Sequence, residues 1–335
     1  MTKTNKPDQK TFGDWAYLAL QKHFQKTNKH ESDVLKDRDP EALHQMRVGM
    51  RRLRTAVTGF APALDLPKAA REKNIAKIAR RLGELRDIDV LQDALENHYL
   101  PALPTKEQGT LNKVLSTLEK QRHKSLEQVQ TTLKEQPYPK LKRAFKDWLE
   151  KPTYGELAEI SIYEILPDLL LPSVSTLFLS PAWLVGVKLE VGELESPSAI
   201  NSQRVVQILN THGDVVHSLR KQAKRVRYQM ELFTDFYSST YENYLNDIKE
   251  IQRILGEIQD SFVLAGFLAD ALNSEITVQL PTLAAQLTEA RYQAWQEWQS
   301  LQQHYLNPQV RKDFHLAVLQ PVSTTLSNSL EGVDE

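Results

Sequence analysis

Cationic side chains at fixed spacing occur twice in this chain. His44, Arg47, Arg51, Arg52 and Arg54 form the pattern His-x-x-Arg-x-x-x-Arg-Arg-x-Arg, and His217, Arg220, Lys224, Arg225 and Arg227 repeat it with one lysine for arginine. The offset is 217 − 44 = 173 at every position, and the register continues through Phe60/Phe233, Gly83-Glu84/Gly256-Glu257, Asp87/Asp260 and Val90-Leu91/Val263-Leu264. Arg80 and Arg253 keep the same offset and extend the basic set from a second helix. Guanidinium groups offer forked donors to phosphate oxygens, and lysine adds a mobile point charge. Arginine stays protonated at neutral pH, so this set binds anions and does not abstract protons.

On a helix, residues advance by about 100°, which places His44, Arg47, Arg51 and Arg54 within an arc of roughly 80°. Met46, Met50, Leu53, Val57 and Phe60 form an apolar stripe beside it, and Leu219, Ala223, Val226, Met230 and Phe233 do the same in the second copy. Each helix is expected to bury one face and present a cationic face next to it. Arg52, Arg225 and Lys221 widen the flank. No aromatic residue interrupts either stripe, so stacking on nucleobases has no platform there, and a phosphate chain without bases fits better than RNA.

Glu84/Asp87 and Glu257/Asp260 are i, i+3 acid pairs. Metal ligation or general-base work is one reading; the favoured one has these carboxylates holding the arginines of the neighbouring helix. Gly83 and Gly256, within helical segments, suggest close helix crossings, because glycine there costs about 1 kcal/mol relative to alanine. His44 and His217, one per half, are too few for a metal site of three or four ligands unless both halves contribute with carboxylates. A hydrogen bond to phosphate or to the scaffold suits them better. No phosphate-binding GxxxxGK[ST] loop, HExxH, GxSxG or dinucleotide fingerprint is present. The sequence therefore points to a binding protein with no cofactor and no resident metal, not to an enzyme.

These motifs need helices to carry them, and the composition supplies helices. With 41% hydrophobic residues, 25% charged and 12 glycines in 335, the chain reads as globular and all-α. Apolar residues recur every three or four positions, as in Leu111/Val114/Leu115/Leu118 and Leu283/Leu287/Ala290/Ala294/Trp298. The net charge of −1 conceals local concentration, since residues 42–64 and 215–230 contain no acid. The chain has no cysteine, which excludes disulfides and thiolate chemistry. The N-terminus lacks an apolar signal core, so a cytoplasmic location is expected. The apolar stretch 160–187 contains Glu164, Asp168 and three prolines, which argues against a membrane span.

Proline breaks divide the chain into a first half at 12–151, containing about five helices, a proline-rich connector at 152–197 and a second half at 198–320. Helices are expected near 199–237, 239–273, 276–305 and 308–319, and the ends, 1–11 and 321–335, are expected to be disordered.

The segments EALHQMRVGMRRLRTAV (41–57), RLGELRDIDVL (81–91), VHSLRKQAKRVRYQMELF (216–233) and LGEIQDSFVL (255–264) resemble the CHAD family, the conserved-histidine α-helical domain, over nearly the whole chain. The resemblance implies two pseudo-symmetric four-helix halves facing a basic central cavity or channel that binds inorganic polyphosphate, with some members associated with polyphosphate granules. It carries polyanion binding onto His44, Arg47, Arg51, Arg52, Arg54, His217, Arg220, Lys224, Arg225 and Arg227; Arg80 and Arg253 come from the repeat alone. Many members follow a triphosphate-processing CYTH domain with an ExExK motif. Here Glu193-x-Glu195 lacks the lysine and lies in the connector, so that catalysis is not implied. Two other readings compete with polyphosphate binding: a helical nucleic-acid-binding protein, and a metal-dependent phosphohydrolase using the two histidines with the acid pairs.

Overall fold

Capping residues and prolines set the helix starts. In a computed structural model that describes residues 10–190, 193–195 and 201–322, helix α1 (Phe12–Lys29) opens with a reciprocal cap. The Asp14 N–H donates to Thr11 Oγ1 at 3.2 Å, and the Thr11 N–H donates to the Asp14 carboxylate at 2.9 Å. The expected loose ends lie mostly outside the described residues, and Thr11 belongs to the fold as this cap. After the short α2 (Glu31–Lys36), α3 (Pro40–Gly59) begins with Pro40 in its first turn and Asp39 accepting from the Glu41 N–H at 2.8 Å. Helices α4 (Glu72–Asp93), α5 (Thr105–Lys134) and α6 (Tyr138–Glu150) complete the first half. That makes six α-helices where five were expected. The additional one is α2, which ends at Asp37 in the left-handed conformation (φ 47°).

Next come α7 (Ile162–Phe178), a two-stranded antiparallel hairpin of β1 (Lys188–Glu190) and β2 (Glu193–Glu195), and α8 (Ser202–Leu232). Helices α9 (Ser239–Leu272) and α12 (Pro308–Leu319) lie close to the boundaries the sequence suggests, whereas the single helix expected near 276–305 is broken at Leu280, before Pro281, into α10 (Ile276–Gln279) and α11 (Pro281–Leu306). Beyond the hairpin and two isolated bridges, the regular elements among the described residues are helical. The fold class is all-α.

Contacts divide the chain into two compact units, Met1–Pro101 with Leu115–Ile165, and Ala102–Val114 with Leu166–Glu335. The segment 152–197 is therefore shared between them. Its first part binds the first unit through bridges of Tyr154 to Leu64 and Ser161 to Thr11. Its later part carries Leu166, Leu170, Val174 and Leu177 of α7, all fully buried. Ile162–Leu184 is the one stretch among the described residues long and apolar enough to cross a membrane, and Pro167 and Pro172 lie inside its helix.

In the first unit, α3 packs between α1 and α4. Met46, Met50, Leu53, Val57 and Phe60 are buried there, as the apolar stripe requires. In the second unit, α8 packs on α9 and α11, with Leu219, Ala223, Val226, Met230 and Phe233 buried. An aromatic cluster of Phe178, Trp183, Trp298, Tyr305 and Phe314 fills the rest of that core. Buried Gln302 joins it by donating to the carbonyls of Trp183 and Val185, both at 2.9 Å. Gly186 is required beside it: its φ is +81°, and a Cβ would lie 3.0 Å from the Trp295 ring. Glu107, also buried, accepts from the N–H groups of Thr282 and Leu283 at 3.1 and 3.3 Å, and so caps α11 from 175 residues away.

The close helix crossing lies at Gly49. A Cβ there would sit 2.7 Å from Thr27 Oγ1 and 3.1 Å from Thr27 Cα, whereas at Gly83 it would meet only Arg47 Nε at 3.6 Å. Gly49→Ala should therefore destabilise the protein by about 1–3 kcal/mol in urea unfolding. Gly83→Ala should be neutral or stabilising by up to about 1 kcal/mol through helix propensity. Equal effects would refute this assignment of the crossing.

His23 on α1 has its pKa pushed down to about 4, by burial first and then by the positive charges of Arg52, Lys22 and Lys26. In the unfolded chain it titrates near 6.5, so between pH 6.5 and 4 the unfolded state binds the extra proton. This contribution to stability is complete above pH 6.5 and is lost as pH falls through 4. Unfolding free energy measured across that window should decline, and His23→Gln should flatten the decline. An unchanged slope in the variant would assign the effect elsewhere.

Candidate anion-binding site

The cationic face of α3 is anchored from below by the buried stripe on the same helix. His44, Arg47 and Arg51 are half-buried, and Arg52 and Arg54 are exposed. The side chains spread to either side. Arg47 reaches α4, where its Nη2 donates to Asp87 at 3.5 Å, and Arg54 Nε donates to Glu72 at 2.6 Å. Arg52 points its charge toward α1, as its effect on His23 records.

On α8, His217, Arg220, Lys224 and Arg227 are half-buried and Arg225 is exposed. Arg220 Nη2 donates to Asp260 of α9 at 3.3 Å, which repeats the Arg47–Asp87 contact with the 173-residue offset. Arg227 Nε donates to Glu231 at 2.8 Å, and its guanidinium lies 5.6 Å from the centre of the Tyr228 ring. That ring contact belongs to the second copy alone, since position 55 is threonine.

The glycines have a different role from the one their spacing suggested. The nearest non-local atom to a Cβ built on Gly83 is Arg47 Nε at 3.6 Å, and on Gly256 it is Arg220 Nε at 3.4 Å. Each arginine therefore lies across the neighbouring helix where that helix has no side chain. Arg220 Nε is buried and has no hydrogen-bond partner among the described residues, because the glycine backbone beneath it offers none. The terminal nitrogens of the fork reach outward to an aspartate that is itself largely exposed, 72% for Asp87 and 73% for Asp260.

The acid pairs divide their work. Asp87 and Asp260 hold arginines of the preceding helix, as expected, but Glu84 pairs with Arg81 at 2.8 Å and Glu257 with Arg253 at 2.7 Å, each within its own helix. Asp89 belongs to another network: Arg122 of α5 donates to it at 2.8 Å and to both oxygens of Asp37 at 2.8 and 2.9 Å. Burial raises the Asp89 pKa, and Arg122 opposes the rise. Among the described residues, no three His, Asp or Glu side chains come together in a way that would hold a metal ion.

Arg253 requires a correction. It donates to Glu250 and Glu257 at 2.8 and 2.7 Å and to Glu297 of α11, so its fork is occupied and its surroundings carry excess negative charge. The residue serves as an ion-pair node joining α9 to α11. Arg80, its counterpart, is exposed, and the positions equivalent to Glu250 and Glu297 are Lys77 and Lys124.

His217 has its pKa lowered, by burial first and then by Lys221 and Arg220, while a hydrogen bond donated by the ring to Gln259 and the charge of Asp214 act in the opposite direction. This contact ties α8 to α9. Gln259 had no assigned part in the sequence reading, and its counterpart 173 residues earlier is Arg86.

The all-helical arrangement has known counterparts. The crystal structure of the CHAD domain from the plant Ricinus communis superposes with a TM-score of 0.56 at 23% identity, covering 92% of each chain. PptA from Streptomyces chartreusis gives 0.56 at 15% identity over 85% of this chain and 99% of its own. No curated protein sequence matches the chain. The CHAD domain family model matches residues 18–269, which include the cationic faces of both α3 and α8 and the α4 and α9 segments beneath them. The chain belongs to the CHAD domain family.

Proposed function

We propose that this chain is a cytoplasmic, non-catalytic binder of inorganic polyphosphate, acting through the α3 and α8 faces and located at polyphosphate granules. The observation that supports it best is the repeated arginine–glycine–aspartate arrangement of Arg47/Gly83/Asp87 and Arg220/Gly256/Asp260. In each, the arginine lies against its glycine, with Nη2 in a long contact to an exposed carboxylate. Such an ion pair is worth about 0–1 kcal/mol, so an incoming phosphate oxygen displaces the carboxylate at little cost. The family membership supports the ligand class, and the guanidinium and ammonium groups are donors of the kind that phosphate oxygens accept. The reading calls for no cofactor and no membrane. Nucleic acid is disfavoured because no aromatic residue is interleaved within 44–54 or 217–227, which leaves little stacking platform beside the cations.

Affinity should come from neutralising several phosphates together, and so should fall steeply with salt. Titration with defined long-chain polyphosphate at two salt concentrations tests this, beside the double variant Arg51→Glu, Lys224→Glu. The expected result is salt-sensitive binding that weakens at least about tenfold in a variant of unchanged helicity. Asp87→Asn with Asp260→Asn should tighten binding, because it removes the competing carboxylates. Absence of binding, equal binding by the charge-reversed variant, or displacement by RNA at equal phosphate concentration would overturn the proposal. Release of orthophosphate would overturn its non-catalytic part.

A further inference from the structure

Helix α1 carries Lys22, Lys26 and Lys29 within an arc of roughly 60°. Asp14, in the first turn, is the only acid of this helix, and residues 15–30 contain none. Like charges four residues apart oppose helix formation, and solvated faces usually relieve this with interleaved acids, as α9 does around Arg253. Among the described residues these three lysines enter no ion pair.

The lysines line a groove of about 720 Å³ whose other wall includes Gln45 of α3, with Gln25 and His30 completing much of its polar lining. Glu41 borders the α3 wall, where it accepts from Gln45 Nε2. The groove adjoins the cationic face: Gln45 directly follows His44, and Arg52, seven residues on, shares with Lys22 and Lys26 the field that acts on His23. We infer that this groove is a second seat for the phosphate chain, an arm of the α3 face that takes phosphates beyond those held by His44, Arg47 and Arg51. The inference rests on the polyphosphate reading above. The 173-residue offset carries Lys22 to Glu195 of the β-hairpin and Lys29 to Ser202 at the start of α8, so α1 and its lysines have no counterpart in the register of the second copy. The first unit therefore holds a longer run of phosphates than α8 does.

The test compares tripolyphosphate with long-chain polyphosphate, each titrated at two salt concentrations into the full chain and into the variant Lys22→Gln, Lys26→Gln, Lys29→Gln. Long-chain affinity should fall roughly tenfold and the slope of log K against log salt should shrink by about 2, as for three lost phosphate contacts. Tripolyphosphate, short enough to be held by the arginines of a single face, should bind the variant as it binds the native chain. Gln45→Glu, which places a carboxylate on the opposite wall, should also weaken long-chain binding selectively. Unchanged long-chain affinity and salt slope in both variants would overturn the arm alone, as would an equal loss for both ligands. Failure of the native chain to bind either ligand would overturn the polyphosphate reading itself, and the arm with it.

Discussion

Four arginines within eight residues of one helix repel one another, by about 1 kcal/mol per close pair even in water and more where solvent is excluded. The rest of each unit is arranged around that repulsion. The buried stripe of α3 fixes the helix, so the cations cannot separate by rotating it, and the side chains must spread instead. Arg47 and Arg54 lean to the α4 side, toward Asp87 and Glu72, while Arg52 acts toward α1. On α8, Arg220 leans to Asp260 and Arg227 to Glu231. The contacts of Arg47 and Arg220 are long and go to exposed carboxylates, so they contribute little to stability.

Two kinds of glycine make this arrangement possible, and they differ in what they admit. Gly49 admits backbone: Thr27 Cα approaches the place a methyl group would fill, so α1 and α3 lie close together. Gly83 and Gly256 admit a guanidinium. An arginine lying across a helix needs a gap in that helix's side chains, and a glycine provides it at the cost of some helix propensity. The same gap leaves Arg220 Nε buried and unbonded, a modest desolvation cost set against a fixed orientation of the outer nitrogens.

Features with local periodicity were legible in the sequence. The two apolar stripes, the Asp39-Pro40 start of α3 and the register of the repeat follow from spacing alone, because a helix maps sequence onto faces by a fixed rotation. Features that depend on a neighbouring helix were less legible. Spacing put Asp87 and Glu84 on one face, but only their reach separates the acid that crosses to Arg47 from the one that stays with Arg81. Gly83 and Gly49 look alike in sequence, and what faces each decides its role. Glu107 as the cap of α11 has no local signature, since donor and acceptor are 175 residues apart. The split of segment 152–197 between units was hidden for the same reason.

The register of the repeat is kept where packing demands it, and charge diverges where packing is indifferent. Gly83/Gly256 and Asp87/Asp260 sit under the arginines and match. One turn away, Arg80 has Lys77 and Lys124 at the positions where Arg253 has Glu250 and Glu297. On the other flank, Lys22, Lys26 and Lys29 of α1 have no counterpart in that register, the offset carrying Lys22 to Glu195 and Lys29 to Ser202. Both differences make the first copy more positive and the second less so. A polyanion responds to the summed field over several residues, not to single contacts. On the polyphosphate proposal, the two faces, matched in their central arginines, should therefore attract a polyanion unequally, the first copy, with α1 beside it, more strongly.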